Sequence, residues 1–335
     1  MSNTEWRELN KEYIPCDEKQ KIQSLIELTA YFHQEQHQKI GQYRRGQHTK
    51  DTACVKAEFI IEPRLAENLR YGVFKEPKTF EAIVRFSNSS SIPGSDKEPN
   101  GRGMAIKLLN VEGSKVLPPE DLKEGENQVQ DFIMVNHPTF PFADVDDYNL
   151  LFSDMKLVGP DEARKRFALK YPEKGKMMGA IISKRVANPL DIQYWSESPY
   201  RIESQAMKFS AKPQIMPNNT PGDNKDFLFK AAAETLKQKE IYFDFLVQLQ
   251  TDPQKTPIED VSIEWKEDDS PFYKVATVKI FQQDLDSNEM QAFRSQCELL
   301  AWNPWHALIE HKPLGGINRL RKEVYLASAK RRLQE

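Results

Sequence analysis

The spacing of apolar residues divides the chain into helical and extended segments. Between residues 18 and 43, apolar side chains recur three or four positions apart, which predicts an amphipathic helix. Elsewhere, short runs that alternate apolar and polar residues, or are apolar throughout, predict strands. Seven such runs are found, at residues 53–62, 81–87, 103–109, 131–135, 241–249, 261–265 and 275–281.

The helical pattern returns in two further places. Residues 144–172 are expected to be helical, and residues 291–335 are expected to be mostly helical with breaks at Pro304 and at 313–316. Residues 173–225 give little signal. Because helices do not alternate regularly with the strands, the pattern favours an α+β fold with an antiparallel sheet. Seven short strands could close into a barrel, but periodicity alone does not show closure.

Composition and charge then narrow the class of protein. The 335 residues are 39% hydrophobic and 29% charged, which is typical of a soluble globular protein. A net charge of −3 argues against a general nucleic-acid binder. No apolar run approaches the roughly 20 residues of a membrane span. The first residues show no basic segment followed by an apolar one, so no secretory signal is expected.

The cysteines and one histidine pair give weaker indications. Cys16, Cys54 and Cys297 are odd in number and far apart, which predicts reduced thiols in a cytoplasmic protein instead of a disulfide framework or a zinc site. His33 and His37 lie four residues apart on the predicted helix, so both rings could face one ligand. No third ligand is evident, and a solvated polar helix face is therefore favoured over a metal site.

Four segments carry candidate chemistry, although none is specific alone. His48 lies in YRRGQHTKD just before a strand, and VRFSN at 84–88 is expected to place a cation and a hydroxyl on opposite faces of one strand. Asn136 ends the apolar strand of DFIMVNHPTF. In NRLRKEVYLASAKRR, Arg321 and Tyr325 are four apart, so on a helix the guanidinium reaches the phenol oxygen and favours the phenolate that ligates ferric iron.

Together and in this order, these segments resemble the monofunctional haem catalases, and most closely the small catalase-related peroxidases. RGQHTK resembles the distal-histidine segment, VRFS the strand behind it, KEPNGRGMAIKL the Arg-Gly strand and QDFIMVNHPTF the distal-asparagine segment. PWHALIEHKPLGGINRLRKEVYLASAKRR resembles the proximal helix of the small branch. The resemblance covers about residues 40–150 and 300–333.

The resemblance implies a closed antiparallel β-barrel surrounded by α-helices. It further implies a single haem domain over the whole chain. The expected parts are a helical arm at 1–44, a barrel at 45–290 with a helical insertion at about 144–225, and C-terminal helices at 291–335.

The same resemblance implies roles for individual residues. Tyr325 would be the axial ligand of the haem iron, and Arg321 would hold it as the phenolate. His48 would move a proton between the two oxygens of the peroxide, while Ser87 fixes its tautomer. Asn136 would donate a hydrogen bond to the outer peroxide oxygen.

The cofactor implied is haem, and because no CxxCH attachment site is present, b-type haem is favoured over a covalently attached one. Arg45, Arg85 and one of Arg331 or Arg332 would pair with its propionates. Phe140 would form part of the wall of the haem channel.

The implied function is that of a peroxidase or catalase acting on hydrogen peroxide or organic hydroperoxides with an unidentified electron donor. Gln47 stands where true catalases usually carry a small apolar residue, which suggests peroxidase activity equal to or above catalase activity. Two alternatives stay open: a fatty-acid hydroperoxide isomerase or lyase on the same haem fold, and a haem-binding protein with little turnover. A homo-oligomer is compatible with all three.

Overall fold

The computed structural model describes residues 8–215 and 220–332. The strands are β1 (Asp51–Ile61), β2 (Thr79–Asn88), β3 (Arg102–Leu108), β4 (Gln130–Val135), β5 (Tyr194–Trp195), β6 (Tyr200–Ile202), β7 (Gln205–Pro213), β8 (Ile241–Leu249) and β9 (Tyr273–Ile280). The α-helices of this part of the chain are α1 (Glu18–Ile40), α2 (Val145–Val158), α3 (Pro160–Lys170), α4 (Pro172–Ser183), α5 (Phe227–Gln238), α6 (Asn288–Leu299) and α7 (Gly316–Arg332). Within the two described ranges, no helix is both long and apolar enough to cross a membrane.

The strands form an antiparallel barrel. Neighbours follow the order β5-β4-β3-β2-β1-β9-β8-β7, and the ring closes where Tyr194 and Trp195 of β5 pair with Ala211 and Ser210 of β7. The short strand β6 pairs with the remaining part of β7 and lies outside this ring of eight. The predicted closed antiparallel β-barrel with α-helices around it is confirmed.

Aromatic side chains fill the barrel. The ring of Phe132 lies 5.7 Å from Phe59, 4.8 Å from Phe245 and 5.1 Å from Phe209, centroid to centroid, and all four side chains are buried. An eight-stranded barrel is just wide enough for side chains to fill. The interior is therefore a packed core, and the polar side chains of the strands project from the outer face.

The outer face of β2, β3 and β4 carries charged residues that side-chain alternation predicts. Val84 and Phe86 belong to the barrel core, so Arg85 and Ser87, two residues apart, both point outward. The prediction that this cation and this hydroxyl lie on opposite faces of the strand is therefore wrong. Cys54 of β1 pairs in register with Arg85. This outer face is the surface on which the C-terminal segments pack.

Cys54 and Cys297 form a disulfide between β1 and α6, so the prediction of three reduced thiols is wrong for these two residues. They lie 243 residues apart in sequence, and only the packing of α6 on the outer face of β1 brings their Cα atoms to 6.7 Å. Cys16 is an exposed free cysteine. The thiols therefore give no support to a cytoplasmic location.

The predicted helix at 144–172 and the uninformative segment at 173–225 differ from the structure. The predicted helix over 144–172 is interrupted at Gly159, whose φ of 84° breaks the helical path, and again at Tyr171. A third helix then starts at Pro172, where proline is tolerated because the first helical N–H needs no partner. The uninformative segment 173–225 contains the three strands β5, β6 and β7.

The predicted strand at 261–265 is a loop on the outside of the barrel. Val261 bonds through its backbone to Ala143 and Phe140, in the turn that precedes α2, and not to a neighbouring strand. Trp265 is buried, and its Nε1 donates to the carbonyl of Pro257 at 3.2 Å. The apolar residues of this segment thus cover the barrel from outside, which produces a strand-like pattern without a strand.

A buried network attaches the chain before α7 to the outer face of β3 and β4. Asp131 accepts from Lys107 Nζ at 2.6 Å and from the backbone N of Asn303 at 2.9 Å, and its Oδ2 lies 3.0 Å from His306 Nδ1. Burial alone would lower the pKa of His306. The contacts with Asp131 and Glu126 outweigh burial, so its pKa lies above the usual 6.5.

A second network fixes the start of α7. Arg319 donates to Glu18 Oε1 at 2.6 Å, to Glu12 Oε1 at 2.7 Å and to Glu259 Oε2 at 2.8 Å. These carboxylates come from α1, from the segment before it and from the outer loop. One arginine thus joins three distant segments, and the first turns of α7 have a defined position against the barrel.

We predict that His306→Gln lowers the free energy of unfolding by about 2 kcal/mol at pH 6, the size of a hydrogen bond to a charged group. Because the folded pKa is raised, this stabilisation is complete below pH 6.5 and disappears as the pH rises through the folded value. Urea unfolding at pH 6 and pH 9 should show a smaller difference between variant and wild type at pH 9. An equal difference at both values would contradict the charged assignment.

Candidate active site

His48 lies between α1 and β1 in a backbone conformation that the sheet enforces. Its φ is 56°, in the left-handed region that non-glycine residues rarely adopt. Its backbone N donates to Ser89 O at 3.2 Å, and its carbonyl accepts from Arg85 Nη2 at 3.0 Å. Its Nδ1 shares a hydrogen bond of 2.9 Å with Ser87 Oγ. Strain of this kind persists where the surroundings fix it, which is typical of functional sites.

Gly103 makes the position of the His48 ring possible. It pairs with Ser87 across β2 and β3 and lies directly beneath the imidazole. A Cβ at this position would lie 2.6 Å from both Nδ1 and Cε1 of His48 and 2.9 Å from Ser87 Oγ. Only glycine therefore leaves room for the ring. A glycine inside a strand indicates such a close approach, a signal that the sequence contained in KEPNGRGMAIKL.

The surroundings keep the imidazole neutral. Burial, reinforced by the positive charges of Arg85, Arg321 and Arg45, lowers the pKa of His48 to about 3. Since Ser87 engages Nδ1, the ring nitrogen that remains for a ligand is Nε2. Residues from β2, α7 and the segment before β1 thus act on one side chain.

Asn136 follows β4 and has a buried side-chain N–H donor with no partner among the described residues. Its Oδ1 accepts from the backbone N of Arg102 at 2.8 Å, and its own backbone N donates to Arg102 O at 2.9 Å. These bonds fix the amide so that Nδ2, which is buried, meets no hydrogen-bond partner among the described residues. An unsatisfied buried donor costs about 1–3 kcal/mol, which a ligand oxygen would recover.

Arg321 and Tyr325 meet on one face of α7 as their spacing predicts. Arg321 Nη2 donates to Tyr325 Oη at 3.3 Å, and Nη1 donates to Ser198 Oγ and Asn318 Oδ1 at 3.2 Å each. Asn318 is itself held by the carbonyl of Pro199 at 2.7 Å. Burial opposes the charge of Arg321, but the interactions with Tyr325, Tyr200 and Glu197 together outweigh burial and raise the pKa of the guanidinium. A fixed cation thus lies beside the phenol oxygen.

Arg45, Arg85 and Arg332 converge on the C-terminal end of α6. Arg45 Nη1 donates to Glu298 Oε2 at 2.6 Å, and Arg85 Nη2 donates to Glu298 Oε1 at 3.1 Å. Arg332 donates to the backbone carbonyls of Glu298 and Leu300. Of the candidate arginines for the propionates, Arg45, Arg85 and Arg332 therefore form one cluster.

The positive charge of Arg331 acts instead on His33 of α1. His33 is buried and lies 3.4 Å from Ser328 Oγ, and burial together with the charge of Arg331 lowers its pKa to about 4. The interpretation of His33 as part of a solvated face is therefore wrong. In the part of the chain that the structure describes, no three His, Cys, Asp or Glu side chains come together as a metal site.

Phe140 belongs to an aromatic cluster between α2 and the turn after β4. Its ring stacks on Tyr148 at 5.6 Å and meets Phe142 edge-on at 5.1 Å. Tyr148 and Val324, the neighbour of Tyr325 on α7, pack against the same buried cluster, which contains Val145 and Leu320. Burial raises the pKa of the Tyr148 phenol. The cluster thus connects the Asn136 turn to the helix that carries Tyr325.

A cavity of about 500 Å³ lies on the outer face of β7 and β8, apart from these groups. Lys208 lines it, with Nζ 5.2 Å from the centre of the Trp265 ring, and burial lowers the pKa of this lysine to about 7. Glu197 also lines it, and burial raises the pKa of that carboxyl. None of the residues expected to contact haem lines this cavity.

Sequence reasoning missed four residues of the site: Gly103, Ser198, Glu298 and Asn318. Asn318 precedes Arg321 by three residues and shares its helix face, so helical spacing could have indicated it. Glu298 lies 253 residues from Arg45 and shows no local signal.

Comparison with solved structures identifies the fold as that of the catalases. The chain matches a bacterial catalase over 92% of its length with a TM-score of 0.66 and 16% identity. It matches a fungal catalase over 87% (TM-score 0.62, 15% identity) and catalase A from Saccharomyces cerevisiae over 99% (TM-score 0.63, 16% identity). The chain spans 60% of the bacterial and fungal proteins and 68% of the yeast protein. No protein-family model and no curated protein matches the sequence.

We predict that Gly103→Ala displaces the His48 ring and lowers the free energy of unfolding by about 1–3 kcal/mol, the usual cost of an added methyl group in a packed site. Gly179→Ala in α4 is the matched control, because a Cβ there meets nothing within 4 Å. Urea unfolding measures both, and the ¹⁵N NMR signals of the His48 ring should change only in Gly103→Ala. A Gly103→Ala protein as stable as wild type would disprove the close packing.

Proposed function

We propose that the protein is a haem-dependent peroxidase of the catalase type, which reduces hydrogen peroxide or organic hydroperoxides. The observation that carries the proposal is the 3.3 Å contact between Arg321 and Tyr325 on a catalase fold. Proteins that bind haem through tyrosine use the phenol oxygen as an anionic iron ligand. A guanidinium held beside that oxygen stabilises the anion.

The residues present fit a haem group. Asn136 supplies a buried donor that lacks a partner among the described residues. The cluster of Arg45, Arg85 and Arg332 contains three positive charges and one carboxylate, that of Glu298. Two positive charges remain, which matches the two propionates of haem. The absence of a CxxCH sequence supports non-covalent, b-type haem.

When bound, haem would supply the ferric iron at which the peroxide is reduced. Tyr325 would hold the iron through its phenol oxygen, with Arg321 stabilising the negative charge of the phenolate. Arg45, Arg85 and Arg332 would hold the propionates through charge-assisted hydrogen bonds. Phe140 would contribute to the wall of the access channel.

His48 and Asn136 would handle the peroxide. Because the His48 ring is neutral, Nε2 accepts a proton from one peroxide oxygen while Ser87 fixes Nδ1. The low pKa of His48 makes the protonated ring a strong acid, which favours return of the proton to the departing oxygen. Nδ2 of Asn136 would donate to that oxygen and stabilise its charge.

The proposal extends to the organisation and partners of the chain. It takes residues 1–335 as one haem domain, of which residues 1–7, 216–219 and 333–335 lie outside the described residues. The partners are the peroxide and an electron donor. Gln47 beside His48 has an exposed side chain, and we propose that peroxidase activity equals or exceeds catalase activity.

We predict that the purified protein, supplied with haem, shows a ferric visible spectrum of the tyrosinate type and that Tyr325→Phe loses it. The variant removes only the ligand oxygen, so the fold should be retained. Tyr273→Phe, on an exposed tyrosine, should leave the spectrum unchanged. A Tyr325→Phe spectrum identical to wild type would rule out the axial assignment.

We further predict that His48→Ala retains haem but consumes peroxide about 10²- to 10⁴-fold more slowly, the usual contribution of a general acid–base group. An oxygen electrode and a donor-oxidation assay on the haem-loaded protein measure the two possible products. Oxygen release that greatly exceeds donor oxidation would overturn the peroxidase preference. An unchanged rate in His48→Ala would favour a haem-binding protein with little turnover, and lipid hydroperoxide consumed without a donor would favour an isomerase.

A further inference from the structure

Glu298 is the only carboxylate that the described residues place against Arg45 and Arg85 in ion-pair contact. Its Oε2 accepts from Arg45 Nη1 at 2.6 Å, and its Oε1 accepts from Arg85 Nε at 3.2 Å and Nη2 at 3.1 Å. Burial opposes the charge of Glu298, but Arg85 and Arg45 outweigh burial and lower the pKa of the carboxyl. The side chain is therefore ionised at neutral pH.

The guanidiniums do not depend on this carboxylate for their position. Arg45 Nη2 also donates to the backbone carbonyls of Cys297, Glu298 and Leu300 at 3.3, 3.0 and 3.0 Å. Carbonyls at the C-terminal end of a helix lack partners within the helix and carry its negative dipole, so they suit cations. Arg85 is held in addition by the carbonyl of His48. The backbone carbonyls thus fix the two guanidiniums, and the Glu298 carboxylate binds the donors that these carbonyls leave free.

The Glu298 carboxylate occupies the position at which a carboxylate of a ligand would bind Arg45 and Arg85. Arg45 Nη1 and Arg85 Nε point at Glu298 and would otherwise face an incoming anion with two donors. A propionate that takes these donors must displace Glu298 or lie beside its negative charge. Either event costs binding free energy.

The Glu298 side chain has room to move. It is 26% exposed and borders an outer cleft of about 390 Å³. The other residues lining this cleft are Asp51, Phe229, Asp286, Gln291, Arg294 and Ser295. The backbone beside it is fixed by the disulfide between Cys54 and Cys297. The carboxylate can therefore leave the arginines without any movement of α6.

We propose that Glu298 determines ligand specificity at this site, as an internal carboxylate that competes with the carboxylates of the ligand for Arg45 and Arg85. The inference rests on the proposed function, since it takes the haem propionates as the ligand anions. A ligand with a single carboxylate replaces the Glu298 ion pair with an equivalent one and gains no further contact. A ligand with two carboxylates gains a further contact with the cluster, so the site selects a dicarboxylate.

The test is haem binding by Glu298→Gln, which keeps the shape of the side chain and removes its charge. Haem should bind about tenfold more tightly than to wild type, because competition and like-charge repulsion are both removed. Haem dimethyl ester, which has no free carboxylate, should bind equally to both proteins. The apoprotein should melt at a lower temperature, because the arginines lose their counter-ion. Glu289→Gln, at an exposed ion pair on the same helix, is the matched control and should change neither property.

A purely structural Glu298 would give the opposite change in haem affinity, with stability lowered in both cases. If Glu298→Gln weakened haem binding and lowered stability together, Glu298 would position the arginines and the inference would be wrong. It would also be wrong if the dimethyl ester gained as much affinity as haem. Should Glu298→Gln fail to fold, Glu298→Asp shortens the reach of the carboxylate and should tighten haem binding to a smaller extent.

The two proposals fail in different ways. If wild type binds haem with the Tyr325-dependent spectrum but Glu298→Gln binds no more tightly, only the role of Glu298 is disproved. If neither protein binds haem, the proposed function and this inference are both wrong.

Discussion

The packing of the barrel interior decides where chemistry can occur in this protein. Phe59, Phe132, Phe209 and Phe245 fill the space inside the eight strands, so the polar side chains of the described strands find no room there. Every candidate functional side chain of the strands must project outward. The site therefore lies in the layer between the outer face of the barrel and the helices, and the position of α7 against that face determines its geometry.

That layer is rich in buried charge, which requires that each charge be paired. Asp131 joins β4 to the segment before α7, and Arg319 joins α7 to α1 and to the outer loop. The same helix α7 carries Arg321 and Tyr325, and its Arg332 donates to the backbone at Glu298, where Arg45 and Arg85 also bind. The ion pairs that attach α7 to the barrel and to α1 therefore also fix the distances between the candidate functional groups.

The sequence predicted what depends on neighbours along the chain. The strands β1 to β4, β8 and β9 show alternating or continuous apolar residues because one face enters the core, and Arg321 meets Tyr325 because helical spacing dictates it. The segment 261–265 alternates for a different reason, since it covers the barrel from outside. Strand β5 has two residues and β6 has three, too few for any period to show. Closure, the Cys54–Cys297 disulfide and Glu298 depend on contacts between residues far apart in sequence, which no local pattern records.

The contact of Glu298 with Arg45 and Arg85 changes how these two arginines are interpreted. In the sequence, Arg45 and Arg85 are two cations available for propionates. In the folded chain, the end of α6 supplies backbone carbonyls that fix them and a carboxylate that occupies them. An arginine cluster with its own counter-ion is more stable than three free guanidiniums, and it binds anions less tightly. Stability of the protein without ligand and affinity for the ligand are therefore opposed at this site, and the charge on Glu298 sets the balance between them.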